Sequence, residues 1–203
     1  MKIPPSLQLK AVAKHILNFF GGTPTVHAYY DDARARSMSI VTTLDTVEPG
    51  IKSIGTIGLS EVPLVHDDGT DFITRIELCA AVPSHVEAWE NVIASAAFFI
   101  EHRKQPVIPG RVLENAVNEY FPNTQMPHLY FSIPFLWNDG HFEELLFAEI
   151  QINWLQCFAI HETEKDFISK YGSDSFESLL TEQEINVLDM EREPVSLPYR
   201  YSR

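Results

Sequence analysis

Apolar side chains recur at helical spacing in two long stretches of the chain. In residues 6–20 they fall three or four positions apart, which places them along one side of a helix. Gly21-Gly22 follows and predicts the end of that helix. The capping-box sequence of residues 84–87 predicts a second helix that begins at Ser84 and reaches about His102. Because its apolar stripe is broad, we expect the second helix to be buried against a sheet.

Runs rich in β-branched and aromatic residues predict the strands. These runs are residues 25–30, 38–44, 51–60, 72–82, 128–136, 149–160 and 185–190. Shorter helices are predicted over residues 113–120, from a capping box at 163–166 to Gly172, and from a cap at 174–177 to about Glu184. Strands outnumber helices without regular alternation, which indicates an α+β fold with a mixed, mostly antiparallel sheet flanked by helices. No linker divides the chain, so we expect one domain over residues 1–203.

Net charge changes this picture most. The 203 residues have a formal charge of −13, with 28 acids against 15 lysines and arginines. Residues 139–193 alone hold 14 acids against Lys165, Lys170 and Arg192. Such a surface repels phosphate backbones and anionic membranes, so we expect neither as a direct ligand. It favours a basic protein partner, although acidity also serves solubility in many proteins.

The remaining composition indicates a cytoplasmic protein. Apolar residues make up 45% of the chain, enough for a sizeable core, and no run reaches the roughly 20 apolar residues of a membrane span. The first six residues lack the pattern of a secretory signal. Cys79 and Cys157 lie far apart within apolar runs, so we expect two buried free thiols.

Patterns typical of catalytic and metal sites are weak. The eight histidines form no i, i+4 pair, and we expect neither a metal site nor a cofactor. Residues 58–62 begin like a nucleophile elbow, but Val62 stands where the second glycine belongs. A glycine-dependent bend at Gly58 is therefore favoured, with Ser60 as a structural residue. A hydrolase that uses Ser60, or a histidine with Glu77, stays open as the lesser alternative.

Two opposite charges lie close together in the predicted strand of residues 72–82. Arg75 and Glu77 are two positions apart, which places them on the same face of that strand. This spacing is compatible with a half-buried ion pair and with part of a polar site. We favour a structural role for both residues, because a strand can hold such charges with cross-strand partners.

The order of short motifs along the chain resembles the suppressor-of-fused family. Residues 56–63 are similar to its Thr-x-Gly-x-Ser-x-x-Pro signature, and residues 75–78 to its Arg-x-Glu-Leu strand. The apolar run that contains Pro134, the Ile-x-x-x-Glu step to Glu164 and the Asp-x-x-Arg segment at Arg192 resemble later family motifs. The matching residues to which we assign structural roles are Gly58, Ser60, Arg75, Glu77, Pro134, Glu164 and Arg192.

The resemblance covers roughly residues 10–195 and implies a protein that binds another protein, without enzymatic activity. The chain is similar to short bacterial members, some of which resemble immunity proteins, or antitoxins, against toxins that include nucleases. A nuclease cleft is basic, which suits an acidic binder encoded near the toxin. A regulatory scaffold for a non-toxic protein is the main alternative, and the oligomeric state stays open. The acids predicted to contact the partner are Glu143, Glu144, Glu162, Glu182 and Glu184.

Overall fold

Four α-helices pack on one large sheet in the part of the chain that the structure describes, residues 6–137 and 140–197. The structure is a computed structural model. The helices are α1 (Leu7–Phe20), α2 (Trp89–Arg103), α3 (Glu162–Tyr171) and α4 (Ser173–Glu182). A short 3-10 helix, Leu59–Glu61, follows the third strand.

Ten strands are present in the same described residues. They are β1 (Thr25–Tyr30), β2 (Ser37–Leu44), β3 (Ile51–Ile57), β4 (Leu64–Val65), β5 (Asp71–Phe72), β6 (Thr74–Pro83), β7 (Val112–Leu113), β8 (His128–Ser132), β9 (Leu145–Phe147) and β10 (Ile150–Ile160). The large sheet has the order β1-β2-β3-β6-β10-β8-β7, with β9 also paired to β10, while β4 and β5 pair separately. Only β6 and β10 run parallel within the described sheet. The predicted α+β fold with a mixed, mostly antiparallel sheet is confirmed.

Alternating side chains give the sheet two covered faces. One face carries Leu155 of β10 and packs against α2, whose Trp89 is fully buried. The opposite face carries Ile152 and Trp154 and packs against α1. Phe158 lies on that second face too, where it packs with α3, α4 and the segment after them. The molecule therefore has three layers, with the sheet between α2 and the other helices.

The ends of α1 follow the sequence pattern, whereas the start of α2 does not. Ser6 caps α1 through its side chain, and Gly21 ends the helix with a φ of 64°. The predicted start of the second helix at Ser84 is wrong, because turns follow β6 and the helix begins only at Trp89. Ala88, the residue before it, has a φ of 65°, so a helix could not run through this position.

The predicted last strand, residues 185–190, is wrong. The segment forms turns that side chains close: Asn186 accepts a hydrogen bond from the Leu188 N–H, and Asp189 from the Glu191 N–H. Such side-chain bonds satisfy backbone groups that a strand would need for its ladder. The apolar character of the segment is still used, since Leu188 is buried.

The predicted helix over residues 113–120 is also wrong. Val112–Leu113 is a strand, and turns follow it. Asn115 has a φ of 59°, outside the helical region. The Val117 N–H donates to the carbonyl of Pro127 rather than to a carbonyl one helical turn earlier. The chain before β8 therefore takes the N–H groups of Val117 and Asn118, and the i to i−4 bonds of Glu119 and Phe121 close turns rather than a continuous helix.

Three predicted strands are shorter or less continuous than expected. β3 stops at Ile57, because Gly58 has a φ of 122° and turns the chain into the 3-10 helix. β8 stops at Ser132, two residues ahead of Pro134, which lacks an N–H for the ladder. The predicted strand from residue 72 is interrupted at the exposed Ile73, which separates β5 from β6.

Close packing of α1 on the sheet requires a glycine in β3. A Cβ atom at Gly55 would overlap the Cδ1 atom of Ile16 and lie 3.2 Å from the ring of Phe20. Both side chains belong to the buried face of α1. Gly55 therefore leaves the space that the helix fills.

Candidate functional site

A buried carboxylate joins the bend after β3 to the centre of the sheet. Glu77 of β6 has no exposed surface, and its two oxygens accept five hydrogen bonds. Three come from the N–H groups of Gly58, Leu59 and Ser60, at 2.9, 3.2 and 3.0 Å. The hydroxyls of Thr56 and Ser60 donate the other two. The two motifs that resemble the family signature are thus one hydrogen-bonded unit.

Ser60 is a buried donor to this carboxylate rather than an exposed nucleophile. Its Oγ donates to Glu77 at 2.7 Å, and only 1% of the residue is exposed. A serine nucleophile must be reached by its substrate, so this burial weighs against the hydrolase alternative. Burial also raises the pKa of Glu77, although the surrounding donors oppose that rise. The structural roles of Gly58, Ser60 and Glu77 stay predictions that these contacts support.

Arg75 lies outside the Glu77 network. Its Nη1 donates to the carbonyl of Phe72 at 2.7 Å. Within the described residues Arg75 and Glu77 form no ion pair, although their spacing allowed one. Arg75 instead closes the chain across the interruption between β5 and β6, which is consistent with a structural role.

A second buried carboxylate holds the C-terminal segment against the domain. Glu164, in the first turn of α3, pairs with Arg192 through Nη1–Oε1 and Nη2–Oε2 distances of 2.7 Å each. The same carboxylate accepts hydrogen bonds from the N–H groups of His161 at 2.9 Å and Val195 at 3.0 Å. The cap predicted at residues 163–166 is wrong in register, because the N-cap of α3 is His161.

A groove opens beside α4, on the face of the sheet that α1, α3 and α4 cover. Its volume is about 530 Å³, within the range of ligand-binding clefts. It is bounded by α4, by the turn that follows α4, and by the residues that follow β8. We call it the α4 groove; its principal lining residues are Ser132, Ile133, Pro134, Phe135, Glu177 and Glu184.

Two large apolar side chains of the α4 groove are exposed. Ile133 is 67% exposed and Phe135 46%. Phe135 is also held in place, because its N–H donates to Gln156 at 2.9 Å and its ring meets Phe158 edge-on at a centroid distance of 6.3 Å. Ile133 and the fixed ring of Phe135 together offer exposed apolar area that a contact surface can use.

Two buried polar atoms near the α4 groove have no hydrogen-bond partner among the described residues. They are Ser132 Oγ and Gln156 Nε2. The two residues are cross-strand neighbours on β8 and β10, and Ser132, only 4% exposed, lines the groove. Buried polar atoms are nearly always bonded, so Ser132 Oγ is a donor for which the described residues supply no partner.

Carboxylates give the α4 groove a negative charge. Glu177 accepts a hydrogen bond from the Tyr130 hydroxyl at 2.7 Å. Burial and this bond raise the pKa of Tyr130, so its hydroxyl remains a donor. Glu177 was expected to complete a cap at residues 174–177, but the N-cap of α4 is Gly172. No lysine or arginine is among the groove's lining residues in the described chain.

The five acids predicted to contact a partner lie on different elements. Glu143 and Glu144 precede β9, where the carbonyl of Glu143 bonds the His15 ring of α1. Glu182 is the last residue of α4, and Glu184 follows in a turn with a φ of 50°. Of these acids only Glu184 is among the lining residues of the α4 groove.

Glu162, the fifth of these acids, already has partners within the chain. It opens α3, where it pairs with Lys165 and with the buried His128 at 2.8 Å. The hydrogen bond from Lys165 lowers the pKa of Glu162. Its charge is therefore largely explained by local structure, although its role in partner binding stays a prediction.

Sequence reasoning missed four residues of the α4 groove: Ser132, Ile133, Phe135 and Glu177. The first three lie in the run of residues 128–136, which the sequence pattern predicts to be one continuous strand. The available signal was Pro134 between two large apolar residues, because a proline inside a strand indicates an edge or an end. Beyond that end, apolar side chains no longer alternate between two covered faces.

The described residues form neither a metal-binding cluster nor a membrane-spanning helix. No group of three or more His, Cys, Asp or Glu side chains there could hold a metal ion. None of the described helices is both long enough and apolar enough to cross a membrane. Residues 1–5, on which the expectation of no secretory signal depends, lie outside the described residues.

One curated relative matches nearly the whole chain. It is the immunity protein YqcF of Bacillus subtilis (strain 168), which is 35% identical over 187 residues. The match covers 92% of this chain and 96% of the relative.

Solved structures share the fold at low sequence identity. A suppressor of fused homologue from Neisseria gonorrhoeae FA 1090 superposes with a TM-score of 0.71 at 15% identity, covering 94% of this chain and 98% of that one. A chain in the crystal structure of the Sufu-Fu complex gives 0.67 at 13%, covering 96% and 93%. Drosophila Suppressor of Fused gives 0.60 at 12%, covering 94% and 52%. The family model for Suppressor of fused protein (SUFU) matches residues 34–193, and the chain therefore belongs to the suppressor of fused family.

Proposed function

We propose that this chain is an immunity protein that neutralises a toxin by binding it directly, without catalytic activity of its own. The observation that carries the proposal is its 35% identity to immunity protein YqcF over 92% of the chain. The α4 groove supports a binding function, because it combines exposed apolar side chains with an unpaired polar group, as protein interfaces do.

The charge of the chain supports a basic toxin domain as the partner, and we expect its gene to lie near this one. At −13 the chain attracts positive surfaces, which speeds association and selects the partner. A nuclease binds a phosphate backbone and so needs a basic cleft. A nuclease domain is therefore the toxin class that the charge fits best.

Co-expression with the product of each neighbouring gene tests the proposal, because we expect one neighbour to encode the toxin. Cells that express the neighbour alone should stop growing, and this chain should restore their growth. An unrelated acidic protein of similar net charge is the control and should not rescue, because attraction without a matching surface is not specific. The two purified proteins should also form a complex that survives gel filtration.

Two outcomes would contradict the proposal. One is failure of both rescue and complex formation with every neighbouring gene product. The other is a stable complex with a neighbour that is harmless to cells, which would indicate a regulatory scaffold instead.

A further inference from the structure

Two buried polar atoms at or beside the α4 groove have no hydrogen-bond partner among the described residues. Ser132 Oγ is buried and unpaired among the described residues, and its cross-strand neighbour Gln156 has an unpaired Nε2. Gln156 uses its own Oε1 to hold the Phe135 N–H, so its amide nitrogen is oriented as a donor. Ser132, which lines the groove, can donate to an acceptor such as a backbone carbonyl.

The apolar side of the groove is suited to a side chain of the partner. Ile133 and Phe135 flank Pro134, and both are exposed. Phe158 supports the Phe135 ring from one side. An extended segment directs alternate side chains to opposite faces, so a carbonyl at Ser132 and an apolar contact at Ile133 can come from neighbouring residues of one segment.

The acids of the groove favour a positively charged side chain in the partner's segment. Glu177 and Glu184 lie among the lining residues without a lysine or arginine in the described lining. The bond from Tyr130 fixes Glu177 in position. A long basic side chain can pass its methylene groups over apolar surface while its charged end reaches a carboxylate.

We propose that the α4 groove binds an extended segment of the protein partner that carries an arginine or lysine next to an apolar residue. The basic side chain pairs with Glu177 and Glu184, the apolar side chain covers Ile133 and Phe135, and a backbone carbonyl accepts from Ser132 Oγ. The inference rests on the proposed function only in taking the partner to be a protein.

Short peptides test the groove without any toxin. The probes are acetyl-Leu-Arg-Leu-amide, the same peptide with neutral citrulline in place of arginine, and the same peptide with glutamate. In spectra of ¹⁵N-labelled protein, the arginine peptide should shift the amides of Ser132, Ile133, Phe135 and Glu184 saturably, with a Kd of about 1 mM. The citrulline and glutamate peptides should bind at least about tenfold more weakly, because they lack the charge.

Matched variants separate the groove from the general charge of the protein. Glu177→Gln/Glu184→Gln removes two negative charges inside the groove and still lets residue 177 accept from Tyr130. Glu143→Gln/Glu144→Gln removes two outside it. The first variant should lose most of the binding of the arginine peptide, while the second should keep it. Thermal melts of both should match the parent, which excludes unfolding as the cause.

Three results of the peptide titrations would overturn the inference: no saturable shift, equal binding of the citrulline peptide, or equal loss in both variants. Groove amides that shift on dilution of the protein alone would also overturn it, since they would indicate a second copy as the occupant. Unimpaired toxin rescue by Glu177→Gln/Glu184→Gln would reject the groove and leave the immunity function standing. If the parent protein fails to rescue cells but binds the peptides normally, the immunity function would be rejected and the groove would stand.

Discussion

The guanidinium of Arg192 and the carboxylate of Glu164 face each other in a buried ion pair with two parallel hydrogen bonds of 2.7 Å. Because Glu164 also accepts the N–H groups of His161 and Val195, one carboxylate caps α3 and anchors the C-terminal segment. The chain between α4 and Arg192 includes Glu184, which lines the α4 groove. The ion pair therefore anchors the far end of the segment that contributes Glu184 to the groove.

Arg192→Leu should lower the free energy of unfolding by about 3–5 kcal/mol, because it leaves Glu164 buried without its counter-charge. The double variant Arg192→Leu/Glu164→Leu should be more stable than Arg192→Leu alone, since it removes both charges. Urea unfolding of the parent, both single variants and the double variant measures this difference. Losses that simply add would contradict a direct coupling between the two side chains.

The contribution of Glu77 to the free energy of unfolding should fall as the pH rises above the range where carboxylates of the unfolded chain titrate. Burial raises the folded pKa of Glu77 above its ordinary value of 4.5, so the folded state holds the proton more tightly. This contribution to stability is fully present below the unfolded pKa and is lost as the pH rises through the folded pKa. Urea unfolding from about pH 4 upward should show the parent losing stability relative to Glu77→Gln.

Glu77→Gln is also expected to be less stable than the parent, by on the order of 2 kcal/mol. Its amide nitrogen would face the N–H groups of Gly58, Leu59 or Ser60, which need an acceptor. If instead the parent gains stability over Glu77→Gln with rising pH, the five donors outweigh burial and the folded pKa lies below 4.5.

Gly55→Ala should destabilise the protein by about 1–3 kcal/mol through overpacking. The new Cβ atom would overlap Cδ1 of Ile16, and Ile16→Val removes that carbon. Gly55→Ala/Ile16→Val should therefore be more stable than the sum of the two single changes predicts. A strictly additive double variant would show that the space at Gly55 is not what α1 depends on.

Both thiols should be inert in the folded protein. Cys79 and Cys157 are buried, and burial raises the pKa of each thiol, so the reactive thiolate is scarce. Ellman's reagent should label neither thiol in buffer near pH 8 and both in concentrated guanidinium chloride. Fast labelling of either thiol before unfolding would contradict the packing around β6 and β10.

A change from glutamate to lysine should shift the melting temperature in opposite directions at the end of α4 and at the start of α3. Glu182→Lys should raise the melting temperature slightly, because Glu182 ends α4 and no basic residue lies in its last turn. Glu162→Lys should lower it, because Glu162 opens α3 and bonds His128. Both shifts should shrink with added salt. Shifts of equal sign would show that net charge, rather than helix position, determines the effect.

The sequence predicted those elements whose signals are local. The apolar spacing over residues 6–20 and the stop at Gly21 predicted α1, and Gly172 marked the end of α3. The motif around Glu164 indicated a turn into a helix but not its first residue, because the capping side chain serves a backbone group three positions back. Short-range patterns therefore predicted most helices and strands but not their registers.

Contacts over long range explain what the sequence did not predict. Residues 185–190 have the composition of a strand, but no sheet edge receives them, and the side chain of Asn186 closes a turn instead. The α4 groove joins residues after β8 with α4, and no periodicity indicates that these segments meet. Glu77 was singled out beside Arg75, yet its donors come from the bend at Gly58, in another motif. Pairings of this kind depend on tertiary structure rather than on spacing.

The position of β10 constrains the order in which the protein can be made. β10 pairs with β6 on one side, where Gln151 meets Thr74, and with β8 on the other, where Gln156 meets Ser132. A ribosome completes both neighbours before it completes the strand between them. Until then, β6 and β8 each keep an unpaired edge that can join another nascent chain. Closure of the sheet must wait for distant residues, which slows folding and places the risk of aggregation in the interval before β10 is made.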